Sequence, residues 1–501
     1  MTDELRRPVV VGVGQLRSNR DRTLEGAREP LVLLTEALRL AEHDAGTKGL
    51  LAAADSVHAV HVASWAYAGL AGQVARAVGA TPRHLEDTGL GGHLPVRLLH
   101  RAATRIAAGD SEVALLVGGE SQASVSLLGK AGVDPVATLD WSADPGGPPA
   151  FDLDQLGSPA MQAAGLLAPT RVYPLVENRL QSDLGLTPQQ AHAWSAELYA
   201  ALTHVAAGHP AAWSPGVLTA GQVGAVNPAN RMVCEPYPLS MNAMPHVDQA
   251  AALVLTSLGR ARELGLIPLA HVWGGAGTDD DPDVLARRDL GRSAALADAL
   301  DRCLALSGGG VPDLVDVYSC FPVVPKLVSL HLGLPREASL SVTGGHSAFG
   351  GPLNSYSLHA LATVVERLRS AAGTALVHAN GGYLTSQHAV LLASGPHPAG
   401  CVGDPEPRRL IGDVVVRPLV DGDDLDVVVE TATVEHDRGG KPSQAFLVAR
   451  TPSGERVATC TAAGDTAAAQ VLSLAHLPPG ATTHVGRTVR VSLREGVCTV
   501  S

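Results

Sequence analysis

Three side chains suited to acid–base or nucleophilic chemistry lie close together in the second half of the chain. Tyr318 and Cys320 fall in the run Tyr318-Ser319-Cys320-Phe321, and His346 falls in TGGHSAFGG. A phenol, a thiol and an imidazole can each donate or accept a proton, and a thiol can also attack as a nucleophile. Each also has a plain structural role, the tyrosine as a space filler, the cysteine as a small buried hydrophobe and the histidine as hydrogen-bonded loop scaffold. Arg171, Asn178 and Arg179 form a second group. They would either contact an anionic ligand or face solvent from a helix. The six cysteines are far apart and lack any C-x-x-C pair, so neither a disulfide framework nor a zinc ribbon is expected, and no metal site is assigned.

The elements that must position these groups repeat. Residues 343–382 read as a glycine-rich loop, a helix whose face carries Leu358, Leu361, Ala362, Val365 and Leu368, and a buried strand over 375–378. Residues 87–120 have the same plan. LLHRAATRI echoes SLHALATVV, so that His100 corresponds to His359, Ala103 to Ala362 and Thr104 to Thr363. Self-similarity over this distance predicts two related halves.

Strand and helix patterns alternate over residues 8–120 and again over 269–394, which predicts a parallel sheet covered by helices. Residues 121–231 break the pattern and read as an insertion, with a loop over 140–159 and a helix opened by Thr187-Pro188 and stopped at Gly208. Glycine and proline mark a linker at 399–407. Beyond it, runs such as LIGDVVVRPLV and LDVVVETATVEH, punctuated by turns, predict a small antiparallel β domain over 408–501 resembling an oligonucleotide/oligosaccharide-binding barrel.

The formal net charge of −12 disfavours nucleic acid, whose binding draws on phosphate neutralisation. Residues 400–501 carry 10 Lys/Arg against 13 Asp/Glu, with Phe446 as their sole aromatic residue, unlike a groove for single strands. No apolar run reaches the length of a membrane span, and the N-terminus lacks the pattern of a signal peptide, so a cytoplasmic location is expected.

Four segments carry a resemblance to a known family: ENRLQSDLGLTPQQAHAWSAELYAAL, PHVDQAAALVLTS, LVDVYSCFPVVPKLVSLHLGL and LSVTGGHSAFGGPLNS. With the duplication and the insertion they are similar to the thiolases, and more narrowly to the sterol-carrier-protein-type thiolases and acetyl-CoA acetyltransferases, over about residues 5–395. The resemblance implies an α/β thiolase fold of two βαβαβαββ halves in five layers. The first half would comprise residues 1–120 and 232–268, the loop domain 121–231 and the second half 269–398.

It also implies positions for four catalytic groups, and none is occupied as in the family. Gly89 stands at the nucleophilic cysteine of C-x-S-G, Tyr318 at the oxyanion-site Asn or His, Gly351 at the histidine of G-H-P and Ala379 at the cysteine of C-x-G. The expectation is a protein that binds coenzyme A or acyl-CoA, with Arg171, Asn178 and Arg179 as contacts, no covalent cofactor and thiolase activity absent or very weak. The alternatives are an acyltransferase or C–C lyase using His346 or Cys320 as substitutes, and a scaffold that docks a protein partner through its C-terminal domain. Thiolases pair through the strand before the nucleophile loop. Here that strand holds Glu86 and Asp87, which oppose self-pairing and imply a monomer or weak homodimer.

Overall fold

Residues whose apolar runs are unbroken become strands buried on both faces, because covering a sheet on each side leaves no polar face to satisfy. The computed structural model describes residues 3–149 and 157–501, so part of the loop expected over 140–159 lies outside the described residues. In chain order the strands are β1 (Pro8–Arg17), β2 (Ser56–Ala59), β3 (His84–Asp87), β4 (Val113–Ser121), β5 (Met232–Cys234), β6 (Tyr237–Pro238), β7 (Asp248–Ser257), β8 (Ala270–Asp279), β9 (Leu314–Val317), β10 (Thr374–Gly381), β11 (Ser386–Ala393) and β12 (Val402–Arg409). The C-terminal region adds β13 (Asp424–His436), β14 (Pro442–Arg450), β15 (Arg456–Cys460), β16 (Thr488–Arg494) and β17 (Val497–Val500). Every residue of β4 and β7 is buried.

The main sheet runs β3-β2-β4-β7-β1-β8-β11-β10-β9, with β12 beside β8. Its two halves meet at the short pairing of Val9 and Val10 with His271 and Ala270. The sheet is mixed. β2 pairs parallel to β3 and β4, and β9 parallel to β10, but β7 runs antiparallel to β1 and β4, and β11 antiparallel to β8 and β10. Alternation of strand and helix predicts the connections, but not the direction in which β7 enters after a long insertion.

Helices Leu94–Ala108 and Tyr356–Ser370 occupy the middle of the sandwich and contact strands of both halves. They are the duplicated pair, and the duplication reaches single bonds. Thr104 Oγ1 donates to the His100 carbonyl at 2.9 Å, and Thr363 Oγ1 donates to the His359 carbonyl at 2.8 Å. Both histidines are fully buried and held neutral, His100 at about 4 and His359 at about 3, because burial penalises the imidazolium.

The insertion contributes two long helices, Pro169–Asp183 and Pro188–Ala207. The second starts on a capping box in which Thr187 Oγ1 accepts from the Gln190 amide and Gln190 Oε1 accepts from the Thr187 amide. A buried ion pair joins the first helix to Val323–His331. Lys326 Nζ lies 2.5 Å from Glu177 Oε1 and donates to Ser195 Oγ at 2.6 Å and the Ala191 carbonyl at 3.1 Å. Tyr237 donates its hydroxyl to Glu177 Oε2 at 2.7 Å, and the Lys326 ammonium sits 4.8 Å from the Trp194 ring centroid.

The C-terminal sheet is antiparallel in the order β15-β14-β13-β16-β17, and the β5–β6 hairpin, which follows residues 121–231 directly, joins it through Glu435 and Cys234. The run expected as its first strand, LIGDVVVRPLV, forms no ladder. It lies against the edge of the sheet instead, the Arg456 amide donating to the Val415 carbonyl at 2.8 Å, and just beyond the run the Gly422 amide donates to the Leu493 carbonyl at 2.9 Å. Residues expected as a linker over 399–407 are mostly strand β12, running parallel to β8. Composition hides this strand because its prolines, Pro405 and Pro407, fall within the register break between Asp404 and Arg408, where no ladder amide is required. Arg456, fully buried, ties the C-terminal sheet to the rest of the chain. Its guanidinium lies 2.5 Å from Glu430 Oε2 and donates to the Leu285 carbonyl at 2.6 Å and to the Arg287 carbonyl.

Candidate functional site

Four loops converge at the N-terminal end of helix Leu94–Ala108. The Gly91 amide donates to Asn354 Oδ1 at 2.9 Å, and Ser357 Oγ donates to the Gly92 carbonyl at 2.8 Å, which joins the first loop to the third. The Tyr318 amide donates to the His378 carbonyl at 3.1 Å, joining the second to the fourth. Tyr318 and His346 are brought into contact, their ring centroids 4.1 Å apart and the rings tilted by 59°, and His346 stacks on Tyr356 at 3.6 Å. Tyr318, His346 and Tyr356 are 8%, 2% and 0% exposed, so this end of the helix is closed by aromatic rings.

Two glycines admit that filling. A Cβ on Gly92 would overlap the Tyr318 hydroxyl and ring, and a Cβ on Gly381 would overlap the imidazole of His93. His93 is the N-cap residue of the helix, and burial, assisted by nearby Arg97, lowers it to about 3. Gly92→Ala is therefore expected to cost about 1–3 kcal/mol through overpacking. The same change in a Tyr318→Ala background should cost less than half as much. Equal costs in the two backgrounds, measured by urea denaturation, would show that Tyr318 does not fill this space.

The chemistry open to each group follows from its partners. His346 Nδ1 accepts from the Ser319 amide at 3.3 Å, which places the ring proton on Nε2, an atom with no partner. Burial holds this imidazole neutral, its affinity for a further proton well below the ordinary value. The Cys320 thiol is pushed up to about 12 by burial and so stays protonated near neutrality. Its neighbour Asn380 donates to the Tyr173 hydroxyl at 2.8 Å and accepts from Gln387 at 2.7 Å. Tyr173 stacks on Phe321 at 4.6 Å, which completes the wall.

The expected catalytic positions are distributed as follows. Gly89 is exposed, with nothing within 4 Å of a Cβ built on it, and the helix begins at Leu94. Gly351 is buried, its amide donating to the Met244 carbonyl at 2.9 Å, and a Cβ there would press on that carbonyl and on Ala243. Ala379 is buried in β10 opposite His388. It lies two residues from Gly381 and so on the same face of the strand.

Of the three residues expected to meet an anionic ligand, two face the C-terminal sheet. Arg171 pairs with Glu435 at 2.8 Å and lies over the Phe446 ring at 4.7 Å, and buried Asn178 donates to the Ala432 carbonyl at 2.8 Å. The reading of Asn178 as an exposed helix-face residue is thereby corrected. The helix carries polar residues on the side where a separate domain, remote in sequence, comes to rest. Arg179 pairs with Asp183 one turn on, at 2.8 Å. Sequence reasoning missed His93 and Tyr356. A histidine directly before Leu-Pro at a helix start was the available signal for the first. Among the described residues no cluster of three or more His, Cys, Asp or Glu could hold a metal ion, and no helix is long and apolar enough to cross a membrane.

Comparison with known proteins accords with this architecture. Residues 408–491 match the family described as the thiolase-like protein type 1 additional C-terminal domain. The chain superposes on the crystal structure of a monomeric SCP2-thiolase-like protein type 1 from Mycobacterium smegmatis with a TM-score of 0.79 and 27% identity, covering 99% of both chains. It is 32% identical over 29% of its length to an acetyl-CoA acetyltransferase of Schizosaccharomyces pombe, and 28% identical over 44% of its length to one of Chromobacterium violaceum. These matches span 36% and 49% of the two curated relatives.

Proposed function

We propose, from the premise that the chain is a thiolase-like protein with the type 1 additional C-terminal domain, that it binds coenzyme A or an acyl-CoA in lipid or sterol metabolism without performing the thiolase reaction. The observation that carries this reading is the filled end of helix Leu94–Ala108. Tyr318 and His93 occupy the space above Gly92 and Gly381, beside the loops to which the thiolase resemblance assigns the reacting groups. No thiol sits on the first or fourth loop. The one on the second, Cys320, is held protonated, and the lone pair of His346 is already taken by a backbone amide. Acyl transfer needs a thiolate and a base within reach of each other.

A coenzyme A ester as ligand is supported by the acetyl-CoA acetyltransferase relatives, whose substrate is in their names. Arg171 and Asn178 are engaged against the C-terminal sheet, whereas the partner of Arg179, Asp183, lies one turn along the same helix, so Arg179 is the member of that trio we assign to the phosphate end. The edge strand β3 supports a monomer or weak dimer. Glu86 is paired with His58 at 3.1 Å and with Arg101, and Asp87 accepts from the Ala71 amide at 2.6 Å, so a second copy would meet engaged carboxylates. The M. smegmatis protein is described as monomeric. A cytoplasmic setting fits an intracellular thioester ligand.

Calorimetric titration of the full chain with coenzyme A and acyl-CoAs of several lengths, followed by intact-protein mass spectrometry, tests the proposal. Binding heat with unchanged mass and no product is the expected result. An acyl group on Cys320, or turnover, would replace it with the reading of an active acyltransferase built on substitute residues. Absence of heat at every length would remove the ligand.

A further inference from the structure

We infer that the insertion and the C-terminal sheet together form a second ligand site, one that takes a medium-length alkyl chain ending in a carboxylate. This inference is independent of the coenzyme A reading. The site is a cavity of about 700 Å³ between the short helix Pro159–Ala163, the edge strands β15 and β17, and residues 416–419 that span the gap between those edges. Its volume lies within the range of roughly 300–1,000 Å³ occupied by small-molecule sites.

Its walls are chiefly apolar, among them Ala160, Val416, Leu419, Ala458, Leu493 and Val497. The surface around the opening is apolar too. Ile411, Val415, Val420 and Val497 are 87%, 65%, 57% and 49% exposed, a concentration of large hydrophobics along one short spanning segment and the strand beside it. Of these Val497 lines the cavity itself, and Val415 and Val420 flank in sequence the lining run 416–419, so apolar side chains stand beside the concave space.

One polar group gives the site a direction. Arg417 lines the cavity and donates through Nη2 to Asp423 Oδ1 at 2.8 Å, while its Nη1 is enclosed and has no acceptor. An unpaired guanidinium nitrogen is costly; Nη1 does not open on the cavity as it stands, so a carboxylate would satisfy it with a charge-assisted bond once the side chain turns toward the ligand. The wall also holds a carboxylate, Asp283, whose Oδ1 accepts from the Leu285 amide at 2.9 Å. Its charge opposes an anion on its own side, whereas at the Arg417 end the negative charge of Asp423 is offset by its ion pair, which makes that end the better one for the head group.

The test uses decanoate with the full-length protein, decan-1-ol as the uncharged control, and calorimetry. Val497→Trp changes an exposed residue at the rim and Ala160→Trp fills the cavity from the opposite wall, so misfolding of one leaves the other informative. Decanoate is expected to bind, each tryptophan variant to weaken it at least about tenfold, and Arg417→Gln to weaken decanoate about tenfold or more while leaving decan-1-ol unchanged. Cys460, which lines the cavity and is partly exposed, supplies a second readout: bound decanoate should slow its alkylation by iodoacetamide, followed by peptide mass spectrometry. No binding of decanoate at millimolar concentration would overturn the inference. So would binding indifferent to both tryptophan variants, or equal affinity for acid and alcohol in the wild type. A polypeptide held by this face whose binding Val497→Trp abolishes, with no effect of decanoate, would overturn it in favour of protein docking.

Discussion

Lys326→Ala is expected to lower the free energy of unfolding by about 3–5 kcal/mol, the size of effect seen when one partner of a buried ion pair is removed. Lys326 is fully buried and Glu177 is 1% exposed, so the carboxylate left behind cannot recover its loss through water. The Ser195 hydroxyl and the Ala191 carbonyl lose a donor at the same time. The pair holds an insertion helix against Val323–His331, whose first amide, at Val323, donates to the Tyr237 hydroxyl that in turn donates to Glu177. Urea denaturation followed by tryptophan fluorescence measures the loss. The double variant Lys326→Met with Glu177→Leu should recover much of it, because replacing a whole buried pair by apolar groups is often close to neutral. A loss below about 1 kcal/mol for Lys326→Ala would mean that water reaches Glu177.

Arg456→Leu should have an effect of similar size but a different location. The side chain is fully buried and bonds at once to Glu430 on β13 and to the carbonyls of Leu285 and Arg287, so its removal takes one of two cationic partners from a carboxylate and a donor from each of two carbonyl groups. Glu430 keeps one partner, Arg450 at 3.0 Å, which limits the cost to about 3 kcal/mol. The distinguishing readout is local. Amide exchange should accelerate at residues 284–288 and along β15 while the two central helices stay protected. Uniform acceleration across the chain would show that Arg456 supports global stability and is not an anchor between two parts.

What could be read from the residues was local. The helix over 188–207 was legible because Thr187, Pro188 and Gln190 lie within one turn of each other, and the cap they form needs nothing from elsewhere. The duplicated helices were legible for the same reason, a pattern of apolar positions that survives with His100 and His359 in register. The direction of β7 was not, nor was strand β12, whose formation depends on a free stretch of β8 more than one hundred residues earlier. The site divides in the same way. Tyr318 and His346 were found from their loops, and the structure sets them against each other. His93 was not, because standing directly before Leu-Pro marks it as the start of a helix but says nothing of what its ring packs against. Its meaning lies in Gly381, a residue whose missing side chain leaves room for an imidazole from the other half. Asn178 shows the converse, a polar residue that suggested a soluble ligand and whose acceptor is a backbone carbonyl at Ala432.

Strand exchange between the two parts of the chain sets an order on biosynthesis. The β5–β6 hairpin leaves the ribosome about two hundred residues before Glu435, its partner in the C-terminal sheet, and β8 emerges well before β12 comes to cover its second edge. Until residue 409 has been made, the edge of β8 beyond Ala270 and His271 presents bare backbone donors and acceptors over Gly274 to Asp279. Such an edge is a template for pairing with other chains. A nascent chain stalled or truncated between Ala393 and Val402 is therefore prone to aggregate, although every residue of its central helices is already present.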